Sequence, residues 1–245
     1  MMKQGQNFKN LCLHIVGMKI RNYYISEYEP KFKEIHEQKS VGARDRILWS
    51  TKSVLEDNPN IILDVGCGDG KISKNFKKNN NIVIGLEINR RLASEAKNYI
   101  QVILCDAEDS WPLQDESVDT IYMGAFLEHI FDYDHIFSES RRVLKKNGKL
   151  IILIPNGVSL KDRLIMLRGQ QPEWYRLKGH IRFWTLHWLR KITKQHGFEE
   201  LYVVGFPFPL KESLHKFKVF NPIFAFLEYK LCGLCKLLLW KGRKL

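Results

Sequence analysis

The sequence predicts a doubly wound α/β fold with a mostly parallel sheet, and three features predict it. The run Ile61-Ile62-Leu63-Asp64-Val65-Gly66-Cys67-Gly68-Asp69-Gly70 is an apolar strand that meets a carboxylate and then three alternating glycines. A second apolar run, Ile82 to Leu86, also stops at an acid, Glu87. Two further runs, Ile100 to Leu104 and Val118 to Met123, lead into Cys105-Asp106-Ala107 and into Gly124. Unbroken apolar runs are what strands covered on both faces require. Polar groups at their carboxyl ends line the crevice where such sheets bind ligands.

The remaining elements follow in chain order. Residues 1–58 read as a helical N-terminal extension, with Ile47, Leu48, Thr51 and Leu55 near helical spacing in Arg44 to Glu56. Lys71 to Lys78 is expected to be helical and to end at Asn79-Asn80-Asn81. Asp132 to Lys146 reads as a helix with Ile136, Val143 and Leu144 on one face, capped by Asp132 or Asp134 and stopped at Asn147-Gly148. Lys149 to Pro155 is the fifth strand, and residues 157–183 form an insertion containing Gly169, Pro172, Trp174 and Gly179. A helix from Thr185, its N-cap, to His196 ends at Gly197, and Phe198 to Val204 is the sixth strand. This core, residues 59–206, is followed by a basic and apolar C-terminal segment, 207–245.

Size and composition narrow the class. The chain has 245 residues, of which 44% are hydrophobic, enough for one domain with a full core. Its formal charge of +12 favours an anionic partner or surface, or is simply a lysine-rich solvated exterior. Half of that charge, a net +6, lies in residues 207–245, where eight Lys and Arg face only Glu212 and Glu228. A basic amphipathic segment of this kind can lie on an anionic membrane, or can pack against the body. Cys12, Cys67, Cys105, Cys232 and Cys235 are an odd number, which points to reduced thiols and a cytoplasmic location. Cys232-Gly233-Leu234-Cys235 has redox or zinc spacing, but no second ligand pair completes a site, so packing is expected. Neither a secretory leader nor a membrane span is expected.

A dinucleotide fingerprint would need a third glycine where Lys71 stands. The G-x-G-x-G pattern preceded by an acid instead resembles the first motif of class I S-adenosylmethionine-dependent methyltransferases. That resemblance implies a seven-stranded sheet whose last strand is antiparallel, here placed at Lys236 to Lys241. It implies S-adenosylmethionine as cofactor, with Asp64 at the methionine end, Glu87 on the ribose and Asp106 on the adenine amino group. Gly66, Cys67, Gly68, Gly70, Ile88, Ala107 and Gly124 would complete the cofactor site. The tyrosine-rich stretch Arg21 to Glu29 is similar to the aromatic lid of many such enzymes, and also suits a surface helix.

Phe126-Leu127-Glu128-His129-Ile130 resembles the segment after the fourth strand in small-molecule enzymes that include the ubiquinone-type O-methyltransferases. The quinone enzymes place a further Glu three residues earlier in support of a divalent metal. Ala125 stands there in this chain, so no metal is expected. Glu128 and His129 are the acid–base candidates, and His129 also suits a structural, hydrogen-bonded role. Gly179-His180-Ile181-Arg182-Phe183-Trp184 is a second shared run. In it, His180 can be a base or substrate ligand and Arg182 can hold a carboxylate or phosphate, or the run can anchor the insertion.

The expected function is methyl transfer to a small-molecule or lipid-linked acceptor, at oxygen, with peripheral membrane association through 207–245. A nucleic-acid methyltransferase fits the charge, but such enzymes place an Asn or Asp, two prolines and an aromatic after the fourth strand, where this chain has Met123-Gly124-Ala125-Phe126. A non-catalytic cofactor-binding module is the third reading.

Overall fold

The protein is described from a computed structural model, over residues 41–172, 175, 179–209 and 221–245. Seven segments build one sheet: β1 (Ile61–Val65), β2 (Ile82–Glu87), β3 (Gln101–Leu104), β4 (Val118–Gly124), β5 (Leu144–Pro155), β6 (Phe198–Phe206) and β7 (Leu237–Lys244). Their spatial order is β3-β2-β1-β4-β5-β7-β6. The first five strands pair in parallel, and β7 lies antiparallel between β5 and β6. The chain moves outward from β1 to β3 and then returns to β4 on the other side of β1. A crevice opens at such a reversal, outside the carboxyl ends of the strands.

Alternating side chains divide the core between the two faces of the sheet. Leu63, Val65, Ile121, Met123, Ile152 and Ile154 pack on one side with Ile136 and Phe137 of α3 (Tyr133–Val143) and with Leu189 and Ile192 of α5 (Leu186–Gln195). Ile62, Val83, Tyr122, Ile151 and Leu153 pack on the other with Val54 of α1 (Val41–Leu55) and Ala96 of α2 (Arg90–Ala96). The described residues belong to one compact unit, so α1 packs as part of this core. The expected segment Arg21 to Glu29 lies outside the described residues.

Caps fall where side-chain chemistry places them. Asp132 accepts from the His135 amide and Thr185 from the Trp188 amide, opening α3 and α5. Gly197, at φ +75°, ends α5.

Three elements differ from the sequence reading. Lys71 to Lys78 is not an α-helix but a single 3-10 turn at Ser73–Phe76. Polar side chains there take over backbone partners: the Asn75 amide donates to the Lys71 and Ile72 carbonyls, and the Asn81 amide to the Phe76 carbonyl. Helix α3 stops at Val143, and β5 begins at Leu144, because Val118 of β4 pairs with Leu144 and draws the chain into the sheet early. The last strand is longer than Lys236 to Lys241, since Gly242, Arg243 and Lys244 continue pairing with β5 and β6. Within the insertion, α4 (Leu160–Leu167) opens at the Ser159 cap, and a final helix, α6 (Asn221–Lys230), precedes β7.

Candidate active site

The glycine turn closes the carboxyl end of β1. Gly66 N and Cys67 N both donate to the Leu86 carbonyl, at 2.9 and 3.1 Å, so the chain turns while still tied to β2. Gly66, Gly68 and Gly70 have φ of +74°, +57° and +75°, where side-chain-bearing residues are strained. At Gly66 a methyl group would lie 2.6 Å from the Phe126 ring, and at Gly70 one would lie 3.0 Å from the Ala96 backbone. Sequence spacing and backbone geometry therefore coincide at all three glycines.

Three strand ends bring acids to this turn. Glu87, 7% exposed, accepts from Gly68 N at 2.9 Å and from Asn89 N at 2.8 Å, so one carboxylate braces both β-strand ends. Burial raises its pKa, and the backbone donors of Asn89, Gly68 and Ile88 oppose that shift. Asp64, 2% exposed, accepts from the Ser73 hydroxyl at 2.5 Å. Burial pushes its carboxyl up to about 7, against the pull of Ser73 and the Arg46 guanidinium, while Glu87 pushes the same way as burial. Asp106 follows β3, whose Leu104 pairs with Glu87, and accepts from the Glu108 amide at 2.9 Å. Burial raises the thiol pKa of Cys67 strongly, with Asp64, Glu87 and Asp69 adding to it; Cys105 rises to about 11 through burial, Asp106, Asp109 and Glu87. Both cysteines are neutral thiols within a field of carboxylates. Ile88 is half-buried and Ala107 buried beside these acids.

Beyond β4 the chain makes a second tight turn. Ala125 adopts φ +55°, rare for a residue with a side chain, and its amide donates to the Leu153 carbonyl. This turn swings Phe126 over Gly66 and leads into a 3-10 turn at Leu127–His129. Glu128 is 1% exposed, burial lifts its carboxyl to about 7, and its Oε2 has no hydrogen-bond partner among the described residues. His129 Nδ1 lies 3.0 Å from the Gly179 carbonyl, and its Nε2 lies 4.0 Å from Glu128 Oε1. A carbonyl only accepts, so the proton is assigned to Nδ1 and the Nε2 lone pair points towards Glu128. His180 packs edge-on against His129 with ring centroids 4.9 Å apart, and burial lowers its pKa to about 4. Ligand atoms of Glu128, His129 and His180 lie within 4.8 Å of one another, a donor set of the type that holds a divalent cation. The trio can therefore accept a proton or ligate a metal.

Arg182, in contrast, is committed to the fold. Its Nε donates to the Ile130 carbonyl at 2.8 Å, its Nη2 to the Phe131 carbonyl, and the guanidinium lies over the Tyr133 ring. The backbone amides of Ile181 and Arg182 both donate to the Glu128 carbonyl. The His180 run is thus tied to the Glu128 turn by backbone as well as by side chains.

Sequence reading missed Arg46. Its Nη2 donates to the Gly124 carbonyl at 3.3 Å, its buried Nε has no partner among the described residues, and its charge lowers the pKa of Asp64, Tyr122 and Glu128 alike. One guanidinium consequently acts electrostatically on both Asp64 and Glu128. Only helical periodicity marked its segment, so nothing in the sequence distinguished Arg46 from other exposed-face cations.

These residues fit S-adenosylmethionine on chemical grounds: an acid-lined crevice suits a cationic sulfonium, and glycine backbone permits close approach. Residues 63–152 match the family model described as a methyltransferase domain. An uncharacterised protein of Methanocaldococcus jannaschii is 30% identical over 140 residues, covering 57% of this chain and 64% of that protein. A ubiquinone biosynthesis O-methyltransferase of Pelagibacter ubique is 28% identical over 152 residues, covering 58% of this chain and 63% of its own length. The chain thus spans less than two thirds of these two relatives. A crystal structure of an S-adenosylmethionine-dependent methyltransferase from Thermotoga maritima superposes with a TM-score of 0.64 at 23% identity, covering 93% of this chain and 99% of that one. That likeness shows a shared fold among the described residues beyond 63–152.

Proposed function

We propose that this protein is an S-adenosylmethionine-dependent methyltransferase that modifies oxygen on a small-molecule or lipid-linked acceptor. The observation that carries the proposal is the Glu87 carboxylate, which links the glycine turn to the end of β2 through Gly68 and Asn89. A carboxylate has about four acceptor positions, so the Gly68, Asn89 and Ile88 amides leave one to meet a ribose hydroxyl. Asp106 would meet the adenine amino group, while Asp64 and Arg46 would meet the amino and carboxylate groups of the methionine end. When bound, the cofactor supplies a methyl group already activated by a positive sulfur leaving group.

The protein's share of the work is alignment, exclusion of water and removal of one proton. Alignment in favourable intramolecular models is worth roughly 7–11 kcal/mol. Phe126, packed on Gly66, shields the crevice between the cofactor and acceptor sides. A neutral amine attacks without losing a proton first, whereas a hydroxyl needs a base, and a base is what the acceptor side offers. His129 Nε2 takes that proton, the Gly179 carbonyl holds the ring, and buried Glu128 stabilises the imidazolium as it forms. His180, kept neutral by burial, shapes the site beside it. The Pelagibacter relative's name supports oxygen as the atom attacked. Peripheral association with an anionic membrane through 207–245 belongs to the same proposal, and no described helix is long and apolar enough to cross a bilayer.

The test is His129→Ala measured against a panel of hydroxylated acceptors with radiolabelled cofactor. Turnover should fall by about 10²–10⁴-fold, with cofactor affinity retained. Undiminished turnover would remove His129 from the mechanism.

A further inference from the structure

Helices α4 and α6 are amphipathic in the reverse sense. In α4 the acid Asp162 is buried, receiving a hydrogen bond from the Ser159 hydroxyl at 2.6 Å, while Leu164, Met166 and Leu167 face outward, Leu167 with 82% of its surface exposed. In α6 the acid Glu228 is 1% exposed and accepts from the Phe208 amide, while Ile223, Phe226 and Tyr229 point outward, Phe226 at 60% exposure. Those three recur every third residue, so they share one side of the helix. Burying the acids strips negative charge from both surfaces. What remains on the exterior beside the apolar side chains is cationic: Lys161, Arg163 and Arg168 on and after α4, and Lys230 at the end of α6.

Both helices leave the sheet at the same point. The Asn156 side chain, directly after β5, donates to the Gly233 and Cys235 carbonyls at 2.9 and 2.8 Å, joining the start of the α4 segment to the end of the α6 segment. Gly157 backs onto the Phe183 ring and pairs its amide with the Trp184 carbonyl. Ile181 and Phe183, 39% and 41% exposed, therefore bridge this junction to His180 and Glu128. The apolar and basic exterior begins at the acceptor side of the crevice.

We propose that α4 and α6, with Ile181 and Phe183, form a docking face for an anionic lipid bilayer, on which the protein lies with its acceptor side against the membrane. Exposed leucine and aromatic side chains enter the acyl boundary while the flanking cations meet anionic headgroups. The charge argument made from residues 207–245 as a whole is thereby relocated. Lys241, Arg243 and Lys244 are spent on ion pairs with Glu56, Asp57, Glu199 and Glu116. Among the described residues, the cations on this face are mostly on and after α4, outside that segment. That a membrane-resident amphiphile is the acceptor rests on the methyltransferase reading, whereas the docking itself does not.

The test uses the full chain without cofactor, sedimented with vesicles of phosphatidylcholine alone or mixed equally with phosphatidylglycerol. The wild type should pellet with the mixed vesicles only, and added salt should release it. Leu167→Asp with Phe226→Asp should weaken the partition by at least about tenfold, and Arg168→Glu should weaken it on mixed vesicles while the protein still melts as wild type. Wild type that stays in the supernatant, or variants that pellet equally, would overturn the proposal. So would a wild-type dimer in light scattering that the double substitution converts to monomer, since a second copy would then cover the face. Calorimetry with the cofactor keeps the two readings apart: vesicle binding without cofactor binding would sink the enzyme assignment and leave the docking face intact.

Discussion

Asp64, which we propose meets the methionine end, has its carboxyl lifted by burial to about 7, and that value sets a pH dependence. Burial favours the protonated acid, whereas a cationic ligand favours the carboxylate. Cofactor affinity should therefore rise by about tenfold between roughly pH 6 and pH 8 and then level off. Asp64→Asn should bind weakly and show no such rise in calorimetric titration. The sign for stability is opposite. An acid whose folded pKa lies above its unfolded value of 3.8 supports the fold fully below that value, and the support is lost as pH rises through about 7. The cofactor-free Asp64→Asn protein should accordingly melt several degrees above wild type at about pH 8 and much closer to it near pH 4. A higher wild-type melting point at pH 8 would show that Ser73 and Arg46 outweigh burial. Asp64 was legible in the sequence because an apolar run ends on it. Arg46 and Ser73, which tune it, were not, because their proximity to Asp64 is a product of tertiary packing.

Among the elements, the glycine turn and the turn after β4 constrain one another through Phe126. Gly66→Ala faces two obstacles, the φ of +74° and a methyl contact 2.6 Å from the Phe126 ring. Backbone strain alone costs on the order of 1–3 kcal/mol. The substitution should lower stability by at least that much in denaturant unfolding, and Phe126→Ala in the same chain should recover the steric part only. Full recovery would mean that backbone strain contributes nothing. Element order was readable because strand periodicity and caps such as Thr185 are local signals. The turn at Ser73–Phe76 was misread as a helix because its competing bonds come from asparagine side chains whose partners periodicity does not reveal. The boundary at Val143 and Leu144 escaped for the related reason that a neighbouring strand decides it.

For the molecule as a whole, β7 ties the last residues to the first described helix. Lys241 is 1% exposed, yet its ammonium reaches Glu56 at 2.8 Å, Asp57 at 2.7 Å and the Ser53 carbonyl at 3.0 Å. The Lys241 hydrogen bond is the largest influence lowering the Glu56 pKa, so this contribution to stability is present above about 4.5 and is lost as pH falls through the folded value. Lys241→Ala should lower the melting temperature by roughly 5 °C near neutral pH, with a smaller deficit in acid; an equal deficit at every pH would assign the loss to packing alone. The seven-stranded, mostly parallel sheet and its antiparallel last strand were accessible through family resemblance. The placement of Arg46 beside Asp64 and Glu128, which the packing of α1 brings about, was not.

The central claim is that Asp64, Glu87 and Asp106 serve one adenosyl-binding crevice, and titration calorimetry with S-adenosylhomocysteine tests it most directly. The wild type should bind one molecule per chain, and Asp64→Asn, Glu87→Ala and Asp106→Ala should each weaken binding by at least about tenfold without unfolding the protein. Absence of binding by the wild type, or wild-type affinity in all three variants, would contradict it.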